Sequence, residues 1–85
     1  MSRQKLKLNK TMFTIKVIEQ NTGRPAYYKK VSIRFKGLLK GFAEDQYTDK
    51  NGEVHFDYDN GDGTIYIEGK VYKECYLSGK IPVYI

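Results

Sequence analysis

Residues 48–58 read TDKNGEVHFDY, a polar turn followed by an alternating segment. The pair Asn51-Gly52 readily adopts the positive φ angles that a tight hairpin turn requires. Apolar residues then alternate with His55 and Asp57, which is the period-two pattern of a strand with one buried face. The stretch therefore predicts a hairpin, and it favours a fold built from β-strands.

Similar alternating segments recur on both sides of this stretch, separated by turn residues about every eight to twelve positions. The expected strands are Phe13–Ile18 and residues 31–35, 42–48, 54–58, 65–67, 71–77 and 81–85. The segment 37–48 is the least regular, because the spacing of its apolar residues also suits one or two helical turns. No long amphipathic helix interrupts the series, so we expect an antiparallel, Ig-like β-sandwich of about seven short strands.

Turn residues and one proline add detail to this fold. Residues 59–63, DNGDG, predict a second hairpin turn, and shorter turns are expected at 69–70 and 78–79. Pro82 cannot donate a hydrogen bond to a neighbouring strand, so the last strand is expected at a sheet edge. Phe13–Ile18 is then the candidate edge for pairing with a partner chain.

At 85 residues the chain has the length of one domain. Its apolar content of 40% supports a core, although a chain of this size buries only about 60% of its unfolded surface. Residues 1–10, MSRQKLKLNK, are expected to form a flexible basic arm, and residues 11–85 a single β-sandwich domain.

A single cysteine, Cys75, excludes a disulfide within the chain and a zinc site built from several cysteines. No apolar run approaches the roughly 18 residues of a membrane-spanning helix. The N-terminal residues also lack the small-residue cleavage site of a signal peptide. We expect no membrane span and no signal peptide, and a cytoplasmic location is slightly favoured.

The net charge of +5 conceals an uneven distribution along the chain. Residues 1–40 carry eleven Lys and Arg against one acid, whereas residues 41–85 carry four Lys against nine acids. Opposite charge on the two halves permits head-to-tail self-association that weakens as salt rises. The basic half also suits an anionic partner.

Cationic residues line the outer face of the expected strand 31–35, two tyrosines stand at its start, and further tyrosines follow in the later strands. The candidate partner-binding surface comprises Tyr27, Tyr28, Lys29, Lys30, Arg34, Lys36, Tyr66, Tyr72 and Tyr76. Tyrosine is enriched at interface hot spots, so the expected function is a non-catalytic protein-interaction or accessory module with a protein partner. The alternative is a small nucleic-acid-binding β domain, in which Lys and Arg contact phosphates and the rings stack on bases.

Two groups of residues resemble chemical sites, a calcium-binding loop and a catalytic pair, but neither has the full pattern that its chemistry requires. Glu68 is twelfth counted from Asp57, as in an EF-hand calcium loop, but Asp62 occupies the sixth position, where that loop needs glycine. Cys75 and His55 could serve as nucleophile and base, but alternation places the thiol on a buried face and the imidazole on an outward one. We therefore expect no catalytic residue, no cofactor and no metal site.

Several segments also follow the order of a known group of domains. The stretches TGRPA at 22–26, TDKNGE at 48–53 and GTIYI at 63–67, after the strand Phe13–Ile18, resemble the transthyretin-like, carboxypeptidase-regulatory-like β-sandwich domains. The resemblance implies an accessory, spacer or protein-binding module. Its enzymatic branch, the hydroxyisourate hydrolases, uses several histidines and a Tyr-Arg-Gly-Ser terminus. This chain has His55 alone and ends in PVYI, so a non-enzymatic member is implied.

Overall fold

The computed structural model describes residues 12–37 and 41–85, and within them the chain is all-β. The expected basic arm, residues 1–10, lies outside the described residues. The strands are β1 (Phe13–Ile18), β2 (Lys30–Phe35), β3 (Gln46–Tyr47), β4 (Glu53–Phe56), β5 (Gly61–Ile67), β6 (Lys70–Leu77) and β7 (Gly79–Tyr84). The described residues contain no helix that could span a membrane.

These strands form two sheets. The three-stranded sheet has the order β4-β1-β7 and the four-stranded sheet the order β3-β2-β5-β6. Burial alternates along β1, β2 and β4 as the sequence pattern predicts, because successive side chains of a strand point to opposite faces. The predicted bounds of the first strand, Phe13–Ile18, are confirmed.

Strand direction differs from the prediction at one pair. β1 and β7 run parallel, with Ile15 opposite Ile81, whereas the other four pairs are antiparallel as expected. The expectation of a wholly antiparallel fold is therefore wrong, because alternation reports which face is buried and not which way a strand runs. The prediction of Phe13–Ile18 as an edge is also wrong, since β1 lies between β4 and β7.

One hydrophobic cluster draws side chains from both sheets. Phe13 belongs to this cluster, with its ring 5.4 Å from that of Phe56 in a stacked arrangement and 6.3 Å from that of Phe35 edge-on. Ile15 from the three-stranded sheet and Ile33 from the four-stranded sheet are fully buried in the same cluster. Burial of this apolar surface is the main favourable contribution to folding.

The turn after β3 has the hydrogen bonds and the positive φ angle expected of a tight turn, but it connects two sheets and does not form a hairpin. Asp49 Oδ1 accepts hydrogen bonds from the backbone N–H groups of Glu53 and Asn51, and these bonds lower the pKa of the Asp49 carboxyl. Gly52 adopts φ 75°. The predicted hairpin is nevertheless wrong, because β3 belongs to one sheet and β4 to the other.

A second predicted hairpin turn, residues 59–63, also proves to be a crossover between sheets. Gly61, Asp62 and Gly63 already belong to β5, and the connection from β4 changes sheet. Glycine and aspartate are frequent in turns but do not determine whether the next strand pairs with the previous one.

The hairpin joining β5 to β6 turns at Glu68 and Gly69, with φ values of 50° and 84°. Two successive positive φ angles are typical of a type I′ hairpin turn. A register shift between Ile65 and Tyr66 places Val71 opposite Tyr66. Val71 is therefore exposed, although simple alternation would place it on the same face as buried Leu77.

The segment 37–48, which the sequence left open as strand or helix, is extended and runs beside β2 in its described part. Phe42 forms an isolated antiparallel bridge with Arg34, and β3 pairs with the start of β2. The Ala43 N–H donates to the carbonyl oxygen of Ile33. Residues 41–48 are thus not helical, although only part of the expected strand 42–48 is regular. Residues 38–40 lie outside the described chain.

Candidate interaction surface

The outer face of the four-stranded sheet carries most of the predicted partner-binding residues. Val31 and Ile33 point into the core, so Lys30 and Arg34 point outward from β2. Directly opposed residues in a sheet share a face, and the partners on this face include three aromatic residues. They are Tyr47 opposite Lys30, Phe42 opposite Arg34 and Tyr66 opposite Ser32.

A cluster of three tyrosines lies at one end of this face. The rings of Tyr28 and Tyr47 stack with centroids 4.7 Å apart. Tyr27 packs beside Tyr28, with ring centroids 6.0 Å apart. All three rings remain largely exposed, and Tyr28 is 64% accessible to solvent. The cluster therefore offers apolar ring surface together with three hydroxyl groups.

A second aromatic group lies further along β2. The rings of Phe42 and Tyr66 are 6.3 Å apart, and the guanidinium carbon of Arg34 is 5.8 Å from the centre of the Phe42 ring. That distance permits a cation–π interaction. Phe42 is nevertheless 66% exposed. We use the term aromatic face for Tyr27, Tyr28, Phe42, Tyr47 and Tyr66 together.

The backbone of Tyr28 is strained where it presents its ring. Its φ of 57° lies in the left-handed region, which is unusual for a bulky residue. Buried Thr48 holds this conformation: its hydroxyl donates to the carbonyl oxygen of Ala26 and accepts from the N–H of Lys29, while its carbonyl accepts from the N–H of Tyr28. Such strain persists only where surrounding contacts over-determine it.

We expect Thr48→Val to destabilise the domain by about 2 kcal/mol, because it leaves the buried Ala26 carbonyl and the half-buried Lys29 N–H without partners. The near-ultraviolet circular dichroism of the tyrosines should also change, since the chain has no tryptophan to mask it. Thr14→Val is the matched control, because the Thr14 hydroxyl bonds His55 at a more exposed position. Equal effects of the two substitutions would contradict a structural role for the Thr48 hydroxyl.

The predicted surface residues are only partly brought together. Arg34, Lys36, Tyr72 and Tyr76 are exposed with Tyr27 and Tyr28, whereas Lys29, Lys30 and Tyr66 are half-buried. Tyr72 and Tyr76 lie on the edge strand β6, outside the ring contacts of the aromatic face. Sequence reasoning missed Phe42 and Tyr47, because a segment that could be strand or helix gives no alternation from which to assign an outward face.

Charges of both signs share this outer face. Asp45 accepts a hydrogen bond from the Ser32 hydroxyl at 2.8 Å, and Glu68 accepts one from the Lys30 N–H at 2.7 Å. Glu74 lies opposite Thr64, two strands from Arg34. The basic strand β2 is therefore bordered by acidic residues on both sides.

The fold also removes the charge separation that the sequence shows along the chain. β1 and β2 belong to the basic half, yet β1 lies between β4 and β7, and β2 lies between β3 and β5. The two halves are interleaved in both sheets. Head-to-tail self-association between oppositely charged halves consequently loses its structural basis within the described residues.

Cys75 and His55 lie in different sheets. Cys75 is partly buried against the core from β6, and burial raises the pKa of its thiol. His55 points outward from β4, where its Nδ1 is 2.8 Å from the Thr14 hydroxyl oxygen. The arrangement does not bring nucleophile and base together.

An ion-pair group occupies the outer face of the three-stranded sheet. Glu53 Oε2 lies 2.9 Å from the Lys80 ammonium and 3.9 Å from that of Lys16. The hydrogen bond from Lys80 holds the pKa of Glu53 below its usual value. These contacts link all three strands of that sheet.

The acidic residues considered for calcium are dispersed. Glu68 turns toward β2, while Asp57 lies in the connection between β4 and β5. Among residues 12–37 and 41–85, no three His, Cys, Asp or Glu side chains are grouped closely enough to bind a metal ion.

No protein-family model and no curated protein matches this chain.

Proposed function

We propose that this domain is a non-catalytic protein-interaction or accessory module that binds a protein partner through its aromatic face. The observation that supports this most directly is the group of five aromatic side chains on one sheet face, four of them exposed. Exposed apolar surface of this kind marks interaction sites in folded proteins. Tyrosine contributes large contact area at low entropic cost, which explains its frequency at interface hot spots.

Two edge strands carry features that oppose pairing with a partner strand. Pro82 lies in β7, and the β6 edge carries a bulge. The ammonium of Lys73 on β6 donates to the carbonyl oxygen of Pro82 at 3.0 Å, so a charged side chain spans the gap between these edges. Such devices discourage strand addition.

The two remaining edges are short. β3 has two residues and β4 has four. A partner strand would gain few main-chain hydrogen bonds at either one. These features favour the sheet face as the binding surface.

The charge on the same face favours a protein over a nucleic acid. Binding to phosphates requires an excess of Lys and Arg, but Asp45, Asp62, Glu68 and Glu74 lie among the cations. A polypeptide can present both charges.

We further infer that the two sheets form a sandwich of the transthyretin-like, carboxypeptidase-regulatory-like kind, in keeping with an accessory role.

The test compares capture of a partner by matched variants. We expect Tyr28→Ser combined with Phe42→Ser to abolish recovery of a protein that the unaltered domain captures from lysate, since both rings are anchors of the aromatic face. Tyr84→Ser is the control, because Tyr84 is similarly exposed but belongs to the three-stranded sheet. Quantitative mass spectrometry measures the recovery.

A nuclease-treated sample runs in parallel with each variant. Recovery that survives nuclease and is lost only in the double variant supports the proposal. Equal loss in the Tyr84→Ser control, or disappearance of all recovered protein after nuclease, would overturn it.

A further inference from the structure

A shallow groove runs along β5 on the outer face of the four-stranded sheet, beside the aromatic face. A hollow of about 390 Å³ is lined by Arg34, Phe35, Lys36, Gly37, Thr64 and Glu74. A smaller hollow of about 180 Å³ adjoins it and shares Lys36 and Glu74 with it. Thr64 forms the floor, since it lies opposite Arg34 on one side and Glu74 on the other.

The two walls of this groove carry opposite charge. Arg34 and Lys36 project from the β2 side, and Glu74 projects from β6. Asp62 lies on β5, the strand of the floor, two residues before Thr64, and it lines the smaller hollow. Among the residues that the structure describes, none of these four charged groups forms an ion pair. No described counter-ion neutralises these charges, and the Arg34 guanidinium also lies over the Phe42 ring.

The distance between the walls fits one extended polypeptide. Arg34 and Glu74 are separated by two strand spacings, about 10 Å between backbones. A chain lying over Thr64 along the strand direction would direct alternate side chains toward opposite walls, because successive side chains of an extended chain point in opposite directions. Acidic residues at every second position would face Arg34 and Lys36, and basic residues between them would face Glu74.

We propose that the groove receives an extended polypeptide segment in which acidic and basic side chains alternate. This inference rests on the proposed function, since it describes the partner of the same sheet face. It adds a specific charge pattern, which the aromatic rings alone do not require.

The probes are two synthetic hexapeptides of identical composition, capped at both ends. One alternates as Glu-Lys-Glu-Lys-Glu-Lys, and the other is the block isomer Glu-Glu-Glu-Lys-Lys-Lys. Titration into the isotope-labelled full chain, followed by NMR, should show binding of the alternating peptide about tenfold tighter than that of its isomer. The shifted resonances should lie around Thr64. Equal affinity, absence of binding by both isomers, or shifts confined elsewhere would overturn the proposal.

A charge variant tests the role of each wall. Glu74→Arg makes both walls cationic, so the preferred probe should change from the alternating peptide to hexaglutamate. Lys50→Glu is the control, since Lys50 lies in the turn before β4 and should leave the preference unchanged. An unchanged preference in Glu74→Arg would contradict the assignment of that wall.

Oligothymidylate serves as a further probe. Its binding at the groove with higher affinity than either peptide would overturn the inference in favour of a nucleic acid. If Tyr28→Ser with Phe42→Ser abolishes capture while the two peptides bind alike, only the charge pattern fails and the proposed function stands.

Discussion

Replacing Gly52 with Ala is expected to destabilise the domain by about 3 kcal/mol, because two costs coincide at this position. Its φ of 75° is unfavourable for any residue with a side chain. An added Cβ would also lie 2.5 Å from the carbonyl oxygen of Val17, too close for the backbone to remain in place. That carbonyl accepts from the Ala26 N–H, and the Gly52 carbonyl accepts from the Val17 N–H.

Gly23→Ala measures the cost of the positive φ angle without the steric clash. Gly23 has the same φ of 75°, but nothing lies within 4 Å of the position that its Cβ would occupy. Its substitution should cost about 1 kcal/mol, the backbone contribution alone. Urea unfolding followed by far-ultraviolet circular dichroism measures both variants. Equal losses of stability would show that the contact between Gly52 and β1 contributes nothing.

Phe13→Ala is expected to cost about 3–5 kcal/mol, which is the usual range for removing a fully buried aromatic ring. Phe13 is 1% exposed, and its ring contacts those of Phe35 and Phe56. The substitution removes apolar burial and leaves a cavity between the sheets. A domain of this kind is stabilised by only about 5–15 kcal/mol, so we expect a large decrease in the urea concentration at which half of the protein is unfolded.

Phe42→Ala is the control for the loss of an aromatic ring as such. Phe42 is largely exposed, so its removal should change the free energy of unfolding by no more than about 0.5 kcal/mol. The two variants should also differ in partner binding: Phe42→Ala should weaken it, because Phe42 belongs to the aromatic face, whereas Phe13 belongs to the core. A similar loss of stability in both variants would place Phe42 in the core and contradict its role as a contact residue.

Burial and local turn chemistry were predictable because they depend on neighbouring residues. Alternation identified β1 and the buried faces of β2 and β4. Asn51-Gly52 marked a turn whose glycine has positive φ. The outward position of Arg34 was predicted from the alternation of β2, and Arg34 is exposed. Each of these features is determined within about ten residues of chain.

Strand pairing, in contrast, was decided by the tertiary structure. The parallel pairing of β1 with β7 and the crossovers after β3 and β4 depend on which sheet each strand joins, and turn residues do not encode that choice. The proposed surface has the same origin. Tyr28 and Tyr47 are distant in sequence, and only the pairing of β2 with β3 stacks their rings.

The sequence by itself determined the all-β character, the alternating burial of β1, β2 and β4, and the basic character of the first half of the chain. The fold decided how those charges are distributed in space. β2 lies between β3 and β5, two strands from the acidic half of the chain, so a chain with separated charges becomes a sheet face of mixed charge. The physical reason is that a sheet joins strands by main-chain hydrogen bonds and core packing between residues far apart in sequence, so surface composition follows topology.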